Sequence, residues 1–192
     1  MWRKRGEATT PVLAGDDPYG GQVPLSRALP LWGGISEGGY SEVLMHKTKK
    51  LSVSEWVCAV RAGKLTSAIK RLRPVSQRGP WHVLCDNEKF LKAAESQSAY
   101  AAKGIELWSI PARSPDLNPI EMFWAWLRKE LRKRDLEDLR LKRPVLSKCL
   151  YMRRVRAVLR TRKAQTFAAR IARSLKNKCK EVVAKNDAAA KS

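Results

Sequence analysis

The sequence contains no apolar run of 18 or more residues, which excludes an ordinary membrane-spanning helix. Its four cysteines, Cys58, Cys85, Cys149 and Cys179, make no CxxC pair, and only His46 and His82 could join them. That spacing excludes the usual zinc sites and points to an intracellular, reduced protein. The opening residues, MWRKRGEATTPVLAG, are basic but have no continuous apolar stretch behind them, so a secretory signal is not expected. Acidic residues are scarce, with 18 Asp+Glu against 39 Lys+Arg, for a formal charge of +21. Such an excess calls for a polyanionic partner, most often nucleic acid. A composition that is 44% hydrophobic, with seven Trp, excludes a wholly disordered chain and supports one domain with a core and an appendage.

The charge is unevenly placed. From Met122 to Ser192 there are 22 Lys+Arg and 6 Asp+Glu, a net +16, which leaves +5 for residues 1–121. The densest basic run holds Arg153, Arg154, Arg156, Arg160, Arg162 and Lys163, the expected nucleic-acid contacts. A second reading is structural. Phe167, Ile171 and Leu175 lie four apart, and such a stripe usually packs against a core while the basic face is merely solvated.

Along the chain, residues 1–28 are rich in Gly, Pro and charge and read as irregular. LPLWGGIS (29–36) and YSEVLMHK (40–47), separated by EGG, predict a β-hairpin. Helical spacing follows over 52–74, with Ser52 or Ser54 as cap, Gly63 as a weak point and Pro74 as the stop. WHVLCDN (81–87) reads as a buried strand with a polar end. The Ala-rich stretch 88–103 reads as one helix ended by Gly104, and IELWSI (105–110) as a further strand. From Ile120 a helix places Phe123, Trp124, Leu127 and Leu131 on one side, with a junction at the acidic residues 135–138. One long basic helical pattern covers about 147–185. The alternation over 81–134 predicts parallel strands joined by helical crossovers, hence an α/β fold. The expected units are an irregular segment 1–28, an α/β domain over 29–134 and a basic helical tail over 135–192.

Two carboxylates stand out. Asp86 ends a predicted strand, and in open α/β sheets ligands bind at that edge. Glu121 falls in the first turn of a helix, where it could reach the same edge. Two hard carboxylates converging there could hold a divalent cation such as Mg²⁺. Each also has a purely local reading. Asp86 could cap the helix beginning near Glu88. Asn118 is a good N-cap, Pro119 fits the first helical position, and Glu121 could close a capping box.

LCDN, followed by GIELWSIPARSPDLNPIEMFWAWLRKEL, resembles the C-terminal half of the catalytic domain of mariner-like DDE transposases. Thirty-four residues lie between Asp86 and Glu121, a spacing typical of that superfamily. The clear resemblance covers about 29–134. It implies a ribonuclease H-like fold, a mixed sheet with crossover helices, and an acidic triad holding two Mg²⁺ (or Mn²⁺) ions for cleavage and strand transfer of DNA. Asp86 then matches the second acidic residue and Glu121 the third, with Asn87 the companion of the second Asp. SPDLNP, including Asn118 and Pro119, is a turn that positions the Glu helix, and Asp116 is a turn residue. DNA is the implied partner, in the nucleus, and a homodimer is a further expectation.

Three departures qualify the resemblance. The family's first Asp lies on a first strand, before the hairpin, whereas Asp16 and Asp17 fall in AGDDPYGG, which reads as a loop. No His follows the Asp-Asn pair. No helix-turn-helix region for transposon ends precedes the domain. The expectation is therefore an α/β, ribonuclease H-like domain truncated at its N-terminus and lacking the first strand, with a basic helical extension. It is expected to be an inactive remnant of a transposase, or alternatively a non-catalytic nucleic-acid binder. Without that strand, the hairpin and the strand at 81–86 must close together, or a segment such as TTPVLA (9–14) must fill the gap.

Overall fold

A computed structural model describes residues 29–45, 51–73, 81–111 and 117–189, with side chains for all of these but 176 and 182–189. Asp16, Asp17, TTPVLA, His46, Pro74 and Asp116 lie outside the described residues.

The hairpin forms as expected. Strand β1 (Leu31–Ser36) pairs antiparallel with β2 (Gly39–Met45). Gly39 takes a positive φ of 109° at the turn, a conformation that favours glycine. Trp32 pairs with Leu44 and Gly33 with Glu42, so Val43 is an extra, unpaired residue, a β-bulge. The bulge decides which core each residue enters. Tyr40 and Met45 pack into one core, while Val43 and Leu44, adjacent in sequence, pack into another.

Helix α1 (Val53–Arg61) begins with a full capping box. The Ser52 hydroxyl accepts from the Glu55 amide at 3.2 Å, and the Glu55 carboxylate accepts from the Ser52 amide at 3.0 Å. Gly63, at φ 76°, separates α1 from α2 (Lys64–Leu72). Strand β3 (Trp81–Cys85) pairs in parallel with β4 (Ile105–Ser109), as the alternation predicts. The single helix expected between them is two, α3 (Lys89–Lys92) and α4 (Ala94–Ala101). The Ser96 hydroxyl donates to Phe90 O at 2.7 Å, and the Gln97 amide donates to Leu91 O at 3.1 Å. These side chains satisfy carbonyls that a continuous helix would have bonded itself.

Helix α5 (Pro119–Arg140) runs through the acidic residues expected to form a junction, so the expected boundary at 134/135 falls inside one helix. The basic pattern is likewise two helices, α6 (Lys148–Leu159) and α7 (Arg162–Ala189). Thr161 separates them: its hydroxyl donates to Val158 O at 2.7 Å and accepts from the Ala164 amide at 3.2 Å.

The hairpin lies between two groups of helices. One core joins Val43 to Trp56, Val60, Leu65, Tyr100 and Ile105 from α1–α4 and β4. The other joins Tyr40 and Met45 to Phe123, Leu127 and Leu131 of α5 and to α6 and α7. Phe167 stacks on Trp126 with ring centroids 5.4 Å apart, and Ile171 is buried. The apolar stripe of the tail therefore docks it on the domain. The architecture is a mixed α/β fold with two short sheets and many helices. Among the described residues no helix is long and apolar enough to cross a membrane.

Candidate functional site

Among the described residues the two sheets do not join: β1 pairs only with β2 and β3 only with β4. Between β1 and β3 lies a cleft of about 610 Å³, lined by both strands and by Asp86, Glu88, Asn118 and Glu121.

Asp86 directly follows β3. It does not cap a helix: α3 has Glu88 at its N-cap position, with no side-chain cap bond. Asn118 is the N-cap residue of α5 by position and Pro119 the first helical residue, but the Asn118 side chain makes no capping hydrogen bond either. Asn118 O accepts from the Glu121 amide at 3.2 Å, while the exposed Glu121 carboxylate has no hydrogen-bond or ion-pair partner among the described residues. The capping-box reading of Glu121 is thus not realised. Asp86 is equally without such partners, so neither carboxylate is engaged by the fold around it.

Asn87 has a visible structural part. Its amide nitrogen donates to Ile110 O at 2.7 Å, its amide oxygen accepts from Lys92, and the Ile110 amide donates to Cys85 O at 2.8 Å. These bonds tie the exits of β3 and β4 together and hold Asp86 at the sheet end. Glu88, which the sequence reading passed over, is a third acid at the site. Partial burial, then the charges of Asp86 and Glu121, push its carboxyl above the ordinary carboxylate value. The signal for it was local. Side chains two apart on an extended chain point the same way, and Glu88 stands two beyond Asp86 with extended backbone. Burial, followed by the Asp86 charge, also raises the Cys85 thiol, so this cysteine is no ready nucleophile.

The six basic residues divide evenly. Arg154 donates to Asp135 at 2.8 Å and to Asp138, Arg156 grips Glu42 through two nitrogens at 2.8–3.2 Å, and Lys163 lies 3.0 Å from Glu130. Arg153, Arg160 and Arg162 are exposed and have no ion pair among the described residues.

Residues 13–140, two thirds of the chain, match the family described as DDE superfamily endonuclease. The chain belongs to that family. No curated protein matches it. Among the described residues of this DDE superfamily member, no group of three His, Cys, Asp or Glu side chains is disposed to hold a metal ion. Asp86 and Glu121 do offer hard oxygen donors on one cleft, a set that suits one Mg²⁺ or Mn²⁺ completing its shell with water.

Proposed function

We propose that this chain is part of a mariner-like transposase catalytic domain of ribonuclease H-like fold, whose ancestral activity is Mg²⁺-dependent cleavage and strand transfer of DNA in the nucleus. The observation that carries the reading is the arrival of Asp86 and Glu121, thirty-four residues apart in sequence, on one cleft with neither engaged elsewhere. Asp86 and Glu121 would hold the cation, and Asn87 positions Asp86. A bound cation supplies charge stabilisation to the scissile phosphate.

The same donor set argues that this chain cuts DNA poorly. Two-metal catalysis needs carboxylates enough to place both ions about 3.5–4 Å apart, and the described residues bring two unengaged carboxylates and Glu88, whose carboxyl is pushed up by partial burial and then by the charges of Asp86 and Glu121. Loss of one electrostatic contact in such a site costs about 10²–10³ in rate. The test is a nicking assay with Mg²⁺ and with Mn²⁺, run beside Glu121→Gln and Asp86→Ala. No cleavage above the variants is expected. Robust cleavage abolished by Glu121→Gln would overturn the inactivity and point to Asp16 or Asp17 as a further ligand.

A second reading is favoured by Arg153, Arg160 and Arg162: a nucleic-acid binder that works without the carboxylates. Arg153 lies on α6, Arg160 follows its last residue as the C-cap, and Arg162 opens α7. DNA affinity unchanged by Asp86→Ala and Glu121→Gln, but weakened by replacing the three arginines, is its expected signature.

A further inference from the structure

The end of α5 farthest from Glu121 carries a surface that neither the cleft nor the packing explains. Among the described residues eight large hydrophobic side chains stand exposed, and five of them fall between residues 136 and 150. They are Leu136, Leu139, Leu141, Val145 and Leu150, each 43–60% exposed. Single exposed aliphatics are ordinary, but a contiguous group marks an interaction surface. The helices bring these five to one place. Arg154 of α6 meets Asp135 and Asp138 of α5. Leu139 stands one turn beyond Asp135 and Leu150 one turn before Arg154, so both lie on the loop side of that ion pair. Leu141 and Val145 belong to the connection itself, which is fixed at both ends. Lys142 takes a φ of 50°, a left-handed conformation that favours glycine. Its amide donates to Leu139 O at 3.0 Å and the Arg143 amide to Asp138 O at 2.9 Å, closing α5. Ser147 then caps α6, its hydroxyl accepting from the Leu150 amide at 3.4 Å.

We propose that this end of the α5–α6 hairpin docks an acidic amphipathic helix of a partner protein. Charge names the occupant. Arg132, Leu136 and Arg140 follow one another at four-residue intervals and form one row, with Leu139 beside it. Arg132, Arg140 and Lys142 are exposed and have no ion pair among the described residues. The local acids are spent: Asp138 serves Arg143 and Arg154, and Asp135 serves Arg154. Glu137, two residues before Leu139, stands on nearly the opposite side of the helix. Apolar side chains interleaved with unpaired cations suit a helix whose Leu or Phe residues recur at three- and four-residue spacing between Asp and Glu. A phosphate backbone would use the cations and leave five aliphatic side chains in water. A second copy, meeting patch to patch, would set the same cations against themselves. None of the five apolar residues is aromatic, the type enriched at a membrane surface. The surface lies fifteen residues beyond Glu121, about 22 Å of helix, and does not depend on what the cleft does.

Fluorescence anisotropy on the full-length chain tests it. The probe is a labelled synthetic peptide of about five helical turns with Leu on one face and Glu on both flanks. Its control is a scrambled peptide of the same composition, which keeps the charge and loses the face. The ordered peptide is expected to bind at least about tenfold more tightly than the scrambled one. Leu139→Asp and the double variant Arg140→Glu, Lys142→Glu should each remove that advantage. DNA affinity should be unchanged by Leu139→Asp. Should Leu139→Asp fail to fold, Leu150→Asp on the other helix gives the same reading. Equal binding of the two peptides overturns the proposal, since charge alone would then be at work. An advantage that survives these variants overturns it as well, because the peptide would be seated elsewhere. Two further results would reassign the surface: uptake by phosphatidylserine–phosphatidylcholine vesicles that Leu139→Asp abolishes while the peptides bind alike, and a dimer in sedimentation that the same variant dissociates.

Discussion

At Glu88 burial and two neighbouring carboxylates act in the same direction. Its carboxyl is raised in the folded protein, so the fold favours the protonated form. Above the folded value this costs stability; below the ordinary carboxylate value of 4.5 the cost is gone. Glu88→Gln is therefore expected to raise Tm at pH 7, with the advantage shrinking as pH falls through the carboxylate range. Mg²⁺ should also raise Tm by binding the native state, and Asp86→Asn should abolish that rise. A thermal melt series in pH and Mg²⁺ checks both. Arg154 behaves oppositely. Its hydrogen bonds hold Asp138 below the usual aspartate value of 3.8, so this pair stabilises above that pH and is lost as the acid protonates. Arg154→Met is expected to cost about 1.5–3 kcal/mol at neutral pH, the range for charge-assisted bonds, with the difference from wild type narrowing in acid. Among the exposed arginines, joint replacement of Arg153, Arg160 and Arg162 by Ala should flatten the log–log salt dependence of DNA binding by up to about 2.7, at about 0.9 per phosphate contact. Arg154→Met should leave that slope alone, and a salt titration of affinity separates the two.

Helix α5 joins the site to the tail. Its first turn carries Glu121 to the cleft, its middle buries Phe123, Leu127 and Leu131, and its last turns hold Asp135 and Asp138 against Arg154 of α6. Trp126 on the same helix receives Phe167 of α7. Phe167→Ala is expected to destabilise by about 2–3 kcal/mol, below the 3–5 of a fully buried Phe because this ring is only half-buried. Denaturant unfolding measures it. Much at this scale was legible in the sequence. The EGG turn marked the hairpin, Ser52 and Glu55 announced their capping box, and Gly63 marked a helix break. The row from Phe123 to Leu131 named its buried face. What escaped were competitions between local and distant partners. Ser96 and Gln97 divide α3 from α4 by taking carbonyls that spacing alone assigns to a helix, and Thr161 divides the tail in the same way. The bulge at Val43 leaves no periodic trace, because the extra residue is apolar like its neighbours. The convergence of Asp86 and Glu121 on one cleft was legible from motif and spacing. The raised carboxyl of Glu88 was not, since it comes first from burial, which the spacing does not show.

At the scale of the molecule, the basic tail is part of the fold. Helices α6 and α7 supply seven of the twelve buried residues in the core shared with the hairpin, from Met152 to Ile171. Truncation near Lys142, which on charge alone would only weaken DNA binding, is expected to abolish cooperative unfolding as well. A melt of the truncated chain beside a DNA titration would reveal this. The hairpin is held by the far end of the chain. Gln165 accepts from the Tyr40 amide at 2.9 Å across 125 residues, and Arg156 clasps Glu42 across 114. This has a consequence for synthesis. A ribosome adding about 5–20 residues per second needs roughly 6–25 s to travel from Tyr40 to Gln165. Throughout that interval the hairpin has been made, but the helices that cover one of its faces have not. A nascent chain stalled before α6 should expose Tyr40 and Met45 to proteases and to chaperones, and one released after α7 should not.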